Sequence, residues 1–207
     1  MPTVNSIKVH YGEEQAKLLN ELFDLPARAQ QLDVSMSNEV KESLGPKEFN
    51  AVKAAEGAVF AEAERERLKA RFLELDLELR AAIEIRIEEI ERELAPENVG
   101  FRDFAAAAEA SPETLITAMD MALDGGDEDA ALLAFAAGRR RDLDEVVAHA
   151  ITINDEWGEL YAELSEAAND LGLDPGDRFE TLAPPAPTKF DILNTPQSDL
   201  NFHATLR

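Results

Sequence analysis

PKEFNAVKAAEGAVFAEAERERLKARFLELDLELRAAIEIRIEEIEREL, residues 46–94, decides how this chain folds. It has no proline after Pro46 and one interior glycine, Gly57, and is dominated by Ala, Glu, Leu, Arg, Lys and Ile. All of these are strong helix formers except Ile, whose Cβ branch costs a little. The stretch predicts one helix about 70 Å long, at roughly 1.5 Å per residue, far longer than most globular helices. Leu68, Phe72, Leu75, Leu79, Ile83, Ile87, Ile90 and Leu94 recur at steps of four and three and form one apolar stripe. Leu73, Leu77 and Ile85 fall off it, which predicts partners on more than one side of the helix. The same residues alternate like strands over Leu73–Leu79 and Ile83–Ile87, but a hairpin needs turn residues, and only Arg80, Ala81 and Ala82 lie between. The helix is the better reading.

Around this helix, the 207-residue chain is 45% hydrophobic, enough for a real core, with few aromatics and much alanine. That composition suits closely packed helices. The formal charge of −23 argues against nonspecific binding to nucleic acid or to anionic membrane. It fits a solvated acidic surface, a basic partner or mimicry of a polyanion. Without cysteine the chain has no disulfide, thiolate metal site or cysteine nucleophile. No apolar run reaches the 18 or so residues that span a membrane, and Met1–Ser6 lacks the features of a signal peptide. A soluble cytoplasmic product is expected.

Residues 1–12 read as an irregular arm containing a short strand-like alternation, Ile7–Tyr11, ended by Gly12. Glu13–Leu25 predicts a helix stopped by Pro26, with a short helix on to Leu32. Ser37 is placed to cap Asn38–Leu44, and Gly45-Pro46 leads into the long helix. Ala95-Pro96-Glu97-Asn98 interrupts the pattern and is the candidate boundary. Beyond it Phe101, Phe104 and Ala105–Ala108 suggest a short helix. Ser111-Pro112-Glu113 is a helix start with Ser as N-cap and Pro in the first turn. Asp124-Gly125-Gly126-Asp127 is a turn, and Ala130–Ala137 a helix stopped by Gly138. From a start at Asp142, one long stripe runs from Leu143 through Trp157 and Tyr161 to Leu171. Residues 111–172 are thus expected as three consecutive helices. From Asp174 on, Leu182–Pro187 predicts an extended arm, with Lys189–Leu193 and Leu200–His203 as apolar anchors. The expected segments are 1–45, the helix 46–95, a bundle 96–173 and an extended arm 174–207. The fold class is all-α.

Candidate chemistry is sparse. Glu84, Glu88 and Glu91 lie successively one turn apart, but a di-iron bundle needs Glu-x-x-His from two helices, and His149 has Glu145 four residues before it. A solvated face is the better account of these glutamates. There is no Gly-x-Ser-x-Gly elbow and no phosphate-binding glycine loop. His149, on an apolar face, reads as a buried structural histidine, and Trp157 with Tyr161 as core or interface. Arg139, Arg140 and Arg141 form the sole basic cluster, at a helix C-terminus where cations are favoured.

Glu156-Trp157-Gly158-Glu159, with Glu163 and Asp170, resembles the acidic helix of MazG-like nucleotide pyrophosphohydrolases. The resemblance covers about fifteen residues. It implies glutamates that hold Mg²⁺ against a nucleoside triphosphate. That family's second acidic helix, with its Glu-x-x-Asp element, should follow, but here the chain runs into Gly172 and a Pro-rich segment.

No catalytic residue, metal ligand or cofactor is expected. The sequence points to a non-enzymatic structural or assembly protein, a subunit of a homo-oligomeric complex. A phage virion component is the analogous case. The partner-binding residues expected are Arg139, Arg140 and Arg141, with Phe190, Ile192, Leu193, Leu200 and Phe202 in the arm. The alternatives are an acidic decoy that mimics DNA to occupy a basic nucleic-acid-binding protein, and a Mg²⁺-dependent nucleotide pyrophosphohydrolase.

Overall fold

The computed structural model describes residues 1–33, 36–97, 100–172 and 174–194, and among them every regular element is a helix. In chain order these are α1 (Val4–Phe23), α2 (Leu25–Gln30), α3 (Asn38–Ser43), α4 (Pro46–Glu93), α5 (Phe101–Glu109), α6 (Pro112–Asp124), α7 (Glu128–Arg140), α8 (Asp144–Ile153), α9 (Asp155–Leu171), α10 (Pro175–Leu182) and α11 (Lys189–Asn194). The 48-residue α4 is unbroken, so the strand-like alternation within it is helix. Its stripe residues are buried, apart from half-buried Ile87. The chain divides into two compact units, Met1–Ile7 with Arg80–Gly172, and Lys8–Leu79 with the segment beyond Gly172. These units cut across the segments expected from composition, because both α1 and α4 contribute to each.

In the first unit α7 packs against α5, α6 and α8. Phe135, fully buried, stacks on Trp157 with ring centroids 5.6 Å apart and meets Tyr161 edge-on at 6.1 Å. Ile90, Leu94, Leu115, Met119 and Val146 complete this core. Ser111 caps α6 as the sequence suggests, its Oγ accepting from the Thr114 amide, whereas Ser37, expected to cap α3, makes no side-chain cap bond; Asp127, read as turn, caps α7 by accepting from the Ala130 amide. Gly126, at φ +74°, makes the turn before α7.

Four expectations are corrected in α1 and in this unit. Gly138 does not stop its helix, since α7 runs on to Arg140. Residues 4–12 are helical, not an irregular arm, because Val4 and Ile7, three apart, share one buried face. Asp142 does not start a helix. It sits at φ 52° after α7, where the amides of Asp142 and Leu143 bond to the carbonyls of Arg139 and Gly138, a Schellman closure with Asp in the place of glycine. The stripe from Leu143 to Leu171 is two helices, α8 and α9. They part at Asn154, whose side chain accepts from the amides of Glu156 and Trp157. Residues 111–172 are therefore four helices, α6 to α9, where three were expected.

In the second unit Leu22, Leu25, Leu68, Phe72, Phe179 and Ile192 form the core. The extended arm expected from 174 is helical over much of its described length. Asp174 caps α10 with Pro175 in its first turn, and Thr188 and Asp191 bond reciprocally at the start of α11. Residues 184–188 remain without regular structure. Phe179 of α10 meets Phe72 edge-on at 5.3 Å, with the cations of Arg65 and Lys69 over its ring at 5.2 and 5.4 Å. Glu180 accepts from both cations. Buried Asp76 of α4 accepts from Arg178 at 3.2 Å and from Gln15 at 3.4 Å.

Candidate partner-binding surfaces

The arginine cluster lies where α7 ends. Arg139 and Arg140 occupy its last turn and Arg141 its C-cap, so their positive charge sits against the negative end of the helix dipole. Arg139 donates to Glu91 at 2.5 Å, and its guanidinium stands over the rings of Phe135 and Tyr161 at 5.7 and 5.9 Å. Arg141 donates to the Ala110 carbonyl at 2.6 Å. Arg139 and Arg141 therefore tie together helices of their own unit. Arg139 and Arg140 also border an open cleft of about 580 Å³, with Glu91, Tyr161, Leu94 and Pro96 among its walls. A guanidinium held by a carboxylate in such a cleft can exchange onto another carboxylate without losing its charge-assisted bond.

The acidic residues weighed for chemistry do not converge. Glu84 and Glu88 are exposed, Glu91 is paired with Arg139, and no group of three or more described His, Asp or Glu side chains is placed to hold a metal ion. His149, expected to be buried, is half-buried and bonds Asp120 at 2.7 Å, tying α8 to α6. Of the residues behind the pyrophosphohydrolase resemblance, Glu156 and Glu159 are exposed, Trp157 is core and Asp170 is half-buried. Glu163 is engaged by both Arg86 and the Val4 amide, and the Arg86 guanidinium holds its carboxyl below the usual range.

In the second unit the anchor residues diverge. Ile192 is 2% exposed and belongs to its own unit's core, so the expectation that it binds a partner is corrected: α11 turns this side chain inward, against the α2 side of the core. Phe190 is 74% exposed and Leu193 about half exposed. Leu200 and Phe202 lie outside the described residues. One feature was not foreseen: a shallow, mostly apolar groove of about 480 Å³ lined by Leu32, Asp33, Ala55, Glu56, Val59 and Phe60. Its sequence signal was Val59, an apolar residue on α4 away from the buried Ala54, Ala61 and Leu68. No described helix is long and apolar enough to cross a membrane.

Comparison of the chain with protein-family models, curated proteins and solved structures finds no match in any of the three.

Proposed function

We propose that this chain is a non-enzymatic structural or assembly protein, one subunit of a larger, homo-oligomeric complex. The observation that supports it best is on α4. Leu77 and Ile85, two of the three residues that fall off the buried stripe, are 64% and 60% exposed, while the third, Leu73, is half-buried. Large apolar side chains left in water on a long helix gain stability only when a neighbour covers them. The mechanism is geometric: apolar faces are buried between subunits, the arginine cluster pairs with acidic surfaces, and the segment from 183 on reaches a neighbour. Light scattering coupled to size exclusion tests this. An integer multiple of the chain mass that falls when residues 183–207 are deleted is the expected result, and a monomer at every concentration, indifferent to the deletion, overturns it.

The charge of −23, with Glu62, Glu66, Glu74, Glu78, Glu84 and Glu88 all exposed along α4, favours a second reading. In it the chain is an acidic decoy for a basic nucleic-acid-binding protein. That reading predicts tight binding to such a protein that weakens steeply with added salt, in competition with DNA.

A further inference from the structure

We infer that the groove lined by Leu32, Ala55, Val59 and Phe60 is the seat for residues 189–193 of a second copy of this chain. The inference rests on the assembly reading above and names the two surfaces that carry it. The groove is concave and apolar, with Val59 open to solvent and two carboxylates, Asp33 and Glu56, on its rim. α11 presents apolar side chains to solvent. Phe190 and Leu193 are three residues apart, so they share a helix face, and both point to solvent while Ile192 holds the inner face against the core. Ile192 thereby prevents α11 from turning Phe190 inward. Lys189, exposed, precedes Phe190 and brings a cation toward the acidic rim of the groove, where the fully exposed Asp33 is held by Lys41 only at 3.7 Å and can exchange partners.

A second copy fits better than an unrelated partner because each chain carries both surfaces. One Phe and one Leu cover too little area for a specific interface, which needs on the order of 1,000 Å². In a two-fold dimer the same knob and the same groove are each used twice, which doubles the area.

The absence of cysteine makes a clean test possible. Glu56→Cys and Lys189→Cys chains are prepared separately, mixed, and treated with a short bis-maleimide, which places the link at the proposed charge pair and leaves the apolar contacts intact. The expected product is a covalent dimer that forms far faster in the mixture than when Glu56→Cys is paired with Thr152→Cys. Phe190→Glu, at a solvent-facing position, should leave the circular-dichroism melt unchanged and weaken self-association at least tenfold. An oligomer that persists with Phe190→Glu and gives no selective cross-link overturns this docking and leaves the assembly reading standing. A cross-link within one chain of the Glu56→Cys/Lys189→Cys double variant at high dilution also overturns it, since the segment then seats in its own groove. A monomer at every concentration removes the assembly reading itself, and the docking with it.

Discussion

Arg86 of α4 and Glu163 of α9 form a two-pronged ion pair in the first unit, with Nε and Nη2 each 3.0 Å from a different carboxylate oxygen. Both side chains are largely buried, and the amide of Val4 adds a third donor to the same carboxylate at 2.8 Å. A fork of this kind fixes orientation as well as distance. Removing Glu163 leaves Arg86, in a poorly solvated site, only the longer contacts to Glu89 and Glu93 at 3.4 and 3.3 Å. Glu163→Gln is expected to cost about 2 kcal/mol in urea unfolding, less than a fully stranded charge would. A paired apolar replacement, Arg86→Met with Glu163→Leu, should recover most of that loss. If the double variant is as unstable as the single one, the cost comes from packing and not from an uncompensated charge.

The same pair sets a pH dependence. The hydrogen bond from Arg86, followed by the Val4 amide and the nearby charges, lowers the Glu163 pKa from the ordinary carboxylate value of 4.5. A lowered folded-state pKa adds stability that is complete above pH 4.5 and is lost as pH falls through the folded value. In the second unit Arg67, then Arg28, hold Glu64 at a pKa of about 2. Arg67 is mostly exposed, so screening reduces that contribution to about 1 kcal/mol. Acid titration of the unfolding free energy should therefore fall between pH 4.5 and 2. Glu163→Gln and Glu64→Gln should each flatten that fall. A fall unchanged in both variants would mean that neither carboxylate keeps a lowered pKa in the folded chain.

Gly138 is needed for its size. A Cβ built there would meet Val146 Cγ1 at 2.6 Å and Cβ at 2.9 Å, and Val146 is fully buried on α8 with little rotamer freedom. Alanine normally stabilises a helix interior over glycine by about 1 kcal/mol. Here overpacking, typically costing about 1–3 kcal/mol, opposes and outweighs that gain. Gly138→Ala is expected to lower the midpoint of thermal unfolding, and Gly138→Ala with Val146→Ala to recover part of it. An unchanged or raised midpoint in the single variant would mean that α7 and α8 separate without cost.

Asn154 shows where the sequence reading stopped short. The stripe from Leu143 to Leu171 continues in phase across it, so periodicity alone joined α8 and α9. Yet Asn154-Asp155-Glu156 has the form of a helix start, a capping side chain followed by acids in the first turn. The same blindness hides α10 and α11, whose caps at Asp174-Pro175 and Thr188–Asp191 lie in a stretch that its prolines mark as an extended arm. The α4 stripe was legible because one period held over its whole length. The Arg86–Glu163 and Asp76–Arg178 pairs were not, since their partners lie 77 and 102 residues apart and nothing local marks them. The groove at Val59 has only that one off-face residue as a local mark, because its walls come from two separate stretches of chain. Asn154→Ala should cost about 1 kcal/mol, while Asn154→Asp should keep most of the stability. Faster amide exchange in the first turn of α9 is the local readout. An alanine variant with unaltered exchange would show that Trp157, and not the cap, fixes where α9 begins.

Phe179 and Glu180 are neighbours that hold α10 by different forces, and burial decides between them. Glu180 accepts from Lys69 and then Arg65, which lowers its pKa, but its side chain is half exposed, so water and salt weaken both bonds. Phe179 is fully buried against Phe72 beneath the same two cations. Deleting a buried ring costs about 3–5 kcal/mol through lost transfer energy and the cavity left behind. Phe179→Ala is therefore expected to release α10, seen as loss of amide protection over residues 175–182. Glu180→Gln should leave that protection nearly intact, and the small difference should vanish at high salt. If Glu180→Gln frees α10 as fully as Phe179→Ala, the helix is held by charge, and the segment it carries would detach on a rise in ionic strength alone.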